Sequence, residues 1–211
     1  MASTRRCGFP ILPTARSPAK PKSAYASSQA QPSTATALCT WAFAELFSQR
    51  DRVKHDAELL YLACMLHDLG LTEKHWGHDA HAKCFAVEGA RAAHALVHAG
   101  GASEERARKV AEAITLHLNV NVPARLGAEA NLLSKGVSLD VVGRRLHQIA
   151  PSTALEVNKR WPRDGFASEL AASTTKQARM RPGSRSALLH KLGFVKLIEG
   201  NPFERFEIRS P

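Results

Sequence analysis

The chain is 211 residues long, 44% apolar and 6% aromatic, enough for one domain with a sizeable core. No run approaches the roughly 20 apolar residues of a membrane-spanning helix, and Cys7, Cys39, Cys64 and Cys84 lack CxxC spacing, which fits reduced thiols better than a disulfide frame or a thiolate zinc site. The net charge of +10 divides into +5 from residues 1–34, +5 from residues 176–211 and zero from the residues between. The basicity therefore belongs to the ends, and without interleaved aromatic residues it does not point to a nucleic acid partner.

Residues 1–34 are rich in Ser, Ala, Pro and Arg and show no periodicity, so they read as a disordered leader. Their acid-free composition also suits an organellar transit peptide; otherwise a cytoplasmic location is expected, since the apolar core of a secretory signal is missing. From about residue 36 the chain reads as successive helices. Leu38, Trp41, Ala42 and Leu46 give a first amphipathic face. A second helix starts at Asp56, runs through ELLYLACML and stops at Gly70; its apolar stretch predicts burial all round. A third spans Phe85 to Val97 and stops at Gly100-Gly101. Ser103 is the expected N-cap of a fourth, with Glu104 and Glu105 in its first turn and its end near His117. A fifth runs from Ala128 to Leu146, and two or three weaker helical patterns follow. No strand alternation extends over a useful length. The expected class is all-α: a compact helical domain over residues 35–203 and a C-terminal tail over 204–211.

Three polar sites point inward. His67 and Asp68 stand together at the end of the apolar second helix. His117 shares a face with Val110, Ala113 and Ile114, and Asp140 shares one with Leu133, Gly136, Val137 and Val141. Taken singly, His117 reads as a hydrogen-bonded core histidine and Asp140 as the partner of Arg91, Arg144 or Arg145. Taken together, one shared cation accounts for all of them, because imidazole and carboxylate are the ligand pair of divalent metals. Such an ion with an open position supplies hydroxide near pH 7. His117 and Glu88 are the candidate catalytic groups that would orient or deprotonate the water, beside His67, Asp68 and Asp140 as metal ligands.

The runs CMLHDLG, HDLGLTEKH, FAVEGARAA, AITLH and LDVVG resemble the HD-domain superfamily of metal-dependent hydrolases, and most closely its cyanamide hydratase-like branch, over about residues 38–203. The resemblance implies a helical bundle around one divalent metal, zinc in this branch, with Mn2+ and Fe2+ as alternatives. It implies a small-molecule substrate, cyanamide or another nitrile, attacked by metal-bound hydroxide; a homo-oligomer is compatible with it. The alternatives are an HD-type phosphohydrolase of nucleotides or phosphate esters, and a catalytically inactive HD-fold binding module. In one respect the chain departs from the pattern. The first ligand of the family is a His on the first helix, and Thr36 stands at the matching position here. Impaired activity is the expected consequence. The chain is then a degenerate member, or it recruits another His such as His117, or the reading frame before Leu38 is not the native one.

Other candidates carry less. Thr72, Glu73 and Trp76 would touch substrate if the segment after His67 forms a lid. His75, His78 and His81, with Asp79, read as solvated loop residues or an auxiliary metal site; His94 and His98, four apart, read as a surface pair or a ligand pair. Phosphate-binding glycine motifs are missing, which disfavours ATP- or dinucleotide-dependent chemistry.

Overall fold

In the computed structural model, residues 34–75 and 84–205 are described. The expectations for the leader, for Trp76, and for His78, Asp79 and His81 lie outside them. Among the described residues there are nine α-helices and no strand: α1 Thr34–Asp51, α2 Ala57–Leu66, α3 Phe85–Ala99, α4 Glu104–Leu116, α5 Ala128–Val142, α6 Pro151–Arg160, α7 Phe166–Met180, α8 Arg185–Lys191 and α9 Phe194–Glu199. No helix among them is long and apolar enough to cross a membrane. The protein is all-α, as its sequence periodicity predicts.

Asp56 and Ser103, which the sequence marks as helix starts, act as caps: Asp56 accepts the backbone N–H of Leu59 at 3.0 Å and Ser103 that of Arg106 at 3.4 Å. Ser184, not singled out from sequence, caps α8 by accepting the N–H of Ala187 at 3.1 Å. The α5 helix is shorter than expected. Gly143 takes a left-handed conformation (φ 68°), its N–H returns to the Leu139 carbonyl, and the Arg144 N–H returns to that of Ser138. This closure ends the helix at Val142 rather than at Leu146.

The α1 helix is the central element, and the expected one-sided face is a correction. Cys39 through Ala44 are buried on every side, whereas Leu38 is only half-buried. Its strongest packing is against α5, while α2 and α6 cover other sides. Trp41 sits edge-on to Tyr61 and Trp161, with centroids 5.9 and 6.5 Å away. The α2 helix, expected to be buried all round, leaves Tyr61, Leu62 and Met65 half-buried because it lies on the flank of the bundle. It also ends early, at Leu66; Gly70 belongs to a separate short 3-10 turn, Leu69–Leu71.

Two backbone crossings fix the geometry. A Cβ on Gly70 would overlap the Phe85 carbonyl, and one on Gly89 would lie 2.7 Å from the Gly70 nitrogen, so the turn after α2 rests directly on the start of α3. A Cβ on Gly136 would overlap the Thr40 carbonyl, so α1 and α5 cross in equally close contact. Gly136→Ala is expected to lower stability by about 1–3 kcal/mol through overpacking. Denaturant unfolding measures it, and an unchanged midpoint would contradict the close crossing.

Candidate metal centre and the buried ion pair beside it

The α2 and α4 helices end side by side, and each ends on a histidine. His67 is the C-cap of α2 and His117 that of α4, both with helical backbone angles. Each ring folds back on its own last turn. His67 Nδ1 lies 2.7 Å from the Cys64 carbonyl and His117 Nδ1 lies 2.6 Å from that of Ile114, in both cases three residues earlier. A carbonyl only accepts, so Nδ1 carries the hydrogen in both rings. The second nitrogens face Asp68: His67 Nε2 is 3.3 Å from Oδ2 and His117 Nε2 is 3.9 Å from Oδ1. The rings meet edge-on with centroids 5.3 Å apart, and Phe85 at the head of α3 closes the far side of His117.

Burial and charge pull these groups apart in acidity. Burial pushes the His67 imidazole down, but the Asp68 carboxylate and the Cys64 carbonyl outweigh it and hold it above its usual value. Burial, reinforced by His67, drops His117 to about 4. Asp68 is raised by burial, yet the two imidazoles more than compensate and hold it below the ordinary carboxylate value. A narrow cavity opens beside the cluster, lined by Thr36, Ala37, Met65, His67, Asp68, Leu69 and Thr72; its volume, about 10 Å3, is room for a single water. Thr36, which the family resemblance aligns with its first His ligand, lies on the same cavity wall as His67 and Asp68.

Asp140 points inward as expected, but its partner is none of the three arginines considered from sequence. Oδ1 pairs with Arg163 and Oδ2 accepts the Thr40 hydroxyl at 2.7 Å; the Asp140 carbonyl accepts Arg163 at 2.7 Å and the Asn201 amide at 2.8 Å. Local sequence explains how Arg163 arrives there. Pro162 stops α6 and Gly165 makes a left-handed turn (φ 76°) into α7, which throws the residue between them inward. The guanidinium is then sandwiched between Phe166 and Phe203, at 4.6 and 4.9 Å from the ring centroids.

The ligand set implied by the family resemblance does not fit these residues. Threonine replaces its first His, and the Asp140 carboxylate is committed to a guanidinium and a hydroxyl. Among the described residues no three His, Cys, Asp or Glu side chains form a closed metal-holding group. Glu88 is likewise committed, to Arg181 at 2.5 Å, where the sequence suggests a base. Thr72 lines the cavity with its hydroxyl donated to the Leu69 carbonyl at 2.7 Å, whereas Glu73 is exposed and does not line it. His94 and His98 share Glu104 on the surface at 2.9 and 3.8 Å. Sequence reasoning missed Arg163 and Arg181, whose partners lie 23 and 93 positions away.

No family model matches the chain. It is similar to two Saccharomyces cerevisiae proteins, the cyanamide hydratases DDI2 and DDI3, at 30% identity over 109 residues in each case, covering 51% of this chain and 48% of each relative. The chain therefore spans about half the length of the curated relatives it matches, and the similarity supports a distant cyanamide-hydratase-like relationship.

Two outcomes follow from this geometry. In the chelator-treated chain His117 is expected to titrate near 4, read from its ring resonances by NMR. The unfolded chain takes up that proton near pH 6.5, so the His117 contribution to stability is complete above about 6.5 and falls as the pH drops toward 4. The raised His67 acts in the opposite sense, contributing below about 6.5 and losing its share as the pH rises through its folded value. A His117 midpoint at 6.5 would contradict its burial. Separately, Arg163→Met is expected to cost about 3–5 kcal/mol by stranding the Asp140 charge; a loss under 1 kcal/mol in denaturant unfolding would show the pair to be dispensable.

Proposed function

We propose that this chain is a cyanamide-hydratase-like domain, a hydratase for cyanamide or another small nitrile, whose reaction centre is the His67–Asp68–His117 cluster and whose activity is impaired. The observation that carries this reading is the convergence of two imidazoles on one carboxylate, with His67 and Asp68 lining a one-water cavity, in a chain similar over half its length to two cyanamide hydratases. Adding water across a nitrile requires a group that takes a proton from the water and a group that delivers one to the nitrogen. Asp68 and the neutral His117 supply acceptors, and a protonated His67 is the nearby donor. The loss is assigned to two positions: Thr36 in place of a His, and Asp140 held by Arg163.

The cavity size supports a very small substrate over a nucleotide. Its described lining holds no Lys or Arg, the side chains that clamp phosphate, so a phosphohydrolase reading has little support. A non-catalytic binding domain is the second reading, favoured by the commitment of Asp140 and Glu88 to arginines.

Urea formation from cyanamide by the purified chain, with and without added Zn2+ or Mn2+, tests the proposal. Slow turnover is expected, and none above buffer under any condition would favour the binding domain. Thr36→His is expected to raise both metal retention and urea formation by about tenfold or more, since even an outer partner of a metal ligand has that effect. An unchanged variant would show that position 36 does not take the missing ligand's place.

A further inference from the structure

We propose that the outer face of α8 is a docking surface for an anionic phospholipid membrane, on which the protein rests without crossing it. None of the residues involved belongs to the His67–Asp68–His117 cluster, so this surface goes beyond the hydratase reading and does not depend on it.

Exposed apolar side chains are concentrated near the end of the chain. Among the described residues six large apolar side chains are strongly exposed, and four of them, Met180, Leu188, Leu192 and Leu197, lie beyond residue 179. On α8 inner and outer sides are sharply sorted. Ser186 and Ala187 are buried and the helix packs on α7, whereas Leu188 is 57% and Leu192 71% exposed. The Leu192 N–H bonds the Leu188 carbonyl at 3.0 Å, so the two leucines stand one helical turn apart on the same side. Arg185, three residues before Leu188, shares that side, and Lys191 flanks it. Single exposed leucines are ordinary, but a pair one turn apart with basic neighbours marks a surface that meets something.

The shape of this region favours insertion over reception. Gly183 precedes α8 and Gly193 follows it, and a Cβ on either would have nothing within 4 Å. Both ends of the helix therefore border open space. A convex apolar edge of this kind enters a lipid surface, whereas a docking helix needs a groove.

Charge selects the occupant. Residues 180–200 hold Arg181, Arg185, Lys191 and Lys196 against Glu199 as the one acid. Arg181 is committed to Glu88, and the other three basic residues are exposed. A second copy would set this positive face against itself, and residues 1–34 carry +5 without an acid, so like charge opposes both as occupants. An acidic protein is disfavoured by size. The seven residues of α8 make about 10 Å of helix, too little for the roughly 800 Å2 per partner of a stable protein interface. The same face suits a weak, reversible lipid association: the leucines reach the acyl boundary while Arg185, Lys191 and Lys196 stay among the anionic headgroups.

The test is co-sedimentation of the full chain at low salt with vesicles of phosphatidylcholine alone and of phosphatidylcholine with phosphatidylserine. Binding to the anionic vesicles only is expected. The double variants Leu188→Gln with Leu192→Gln and Lys191→Gln with Lys196→Gln are each expected to weaken it at least tenfold, with the circular dichroism of the parent. A parent that does not bind overturns the proposal, as does one that binds both vesicles equally. Undiminished binding by the leucine variant also overturns it, and would assign the attraction to the basic residues 1–34. Dimers in sedimentation velocity that the leucine variant abolishes would give the face to a second copy. Equal binding to soluble polyglutamate, lost in the same variant, would give it to an acidic protein; either result overturns the lipid assignment. Should the leucine variant fail to fold, Leu192→Trp provides a second measurement. Its emission is expected to gain, over the parent, a component quenched by brominated lipid, and no added quenching in the folded variant overturns insertion at position 192. Urea formation enters none of these readouts, so failure of the hydratase reading and failure of the membrane surface are separate results.

Discussion

A carboxylate buried at the centre of a helical bundle has to be neutralised, and the way Asp140 meets that demand organises much of this protein. Its acceptors draw in Thr40 from α1, Arg163 from the turn between α6 and α7, and Asn201 from the chain beyond α9. Three parts of the chain are thus tied to one residue of α5. The guanidinium is stacked between Phe166 and Phe203, and Phe203 in turn meets Phe43 of α1 edge-on at 5.3 Å. The apolar core closes around the ion pair instead of avoiding it. Such a pair contributes little net stability over an apolar substitute of the same shape, but it is costly to break from one side. Its effect here is positional: the C-terminal helices are docked where the Asp140 charge requires them.

The second polar cluster follows the opposite pattern. Asp68 faces two imidazoles, each fixed by its own helix. Its environment keeps one imidazole easy to protonate and the other hard, since the carboxylate favours charge on His67 while burial and His67 disfavour it on His117. A pair of groups driven apart in this way is the usual arrangement of acid and base at a reaction centre. The Gly70–Gly89 crossing supports this by letting the turn that carries Asp68 lie directly against α3. A side chain at either glycine would lift Asp68 away from the end of α4.

Much of this was legible in the sequence where the signal is local. The third and fourth helices, the caps at Asp56 and Ser103, and the inward faces of His117 and Asp140 all follow from period and capping chemistry within a dozen residues. Thr36, which the family resemblance aligns with the first ligand, lines the same cavity as His67 and Asp68. What was not legible depends on distant parts of the chain meeting. A helix such as α1, apolar on more than one side, shows a face only once its neighbours are known, and it is buried all round because α2, α5 and α6 surround it. From sequence the Asp140 partner reads as Arg144 or Arg145, close to its own helix, or as Arg91. It came instead from a proline-terminated turn with no periodic signal. Glu88 reads as an available carboxylate for the same reason, because Arg181 lies two helical hairpins away.

The two clusters together explain why a single charge inventory does not describe this protein. Inward carboxylates at Asp68 and Asp140 look equivalent in sequence, and one cation seems sufficient for both. In the fold each is answered separately: Asp140 by a guanidinium that has no exchangeable position and Asp68 by imidazoles that do. An arginine cannot lose its proton at any ordinary pH and presents no lone pair, so it fixes structure. An imidazole can exchange a proton for a metal ion at the same nitrogen, so it leaves chemistry open. The division of labour is set by which cationic residue reaches each carboxylate. For that reason the groups that can exchange a proton lie at the junction of α2 and α4, and the α5 carboxylate serves the fold.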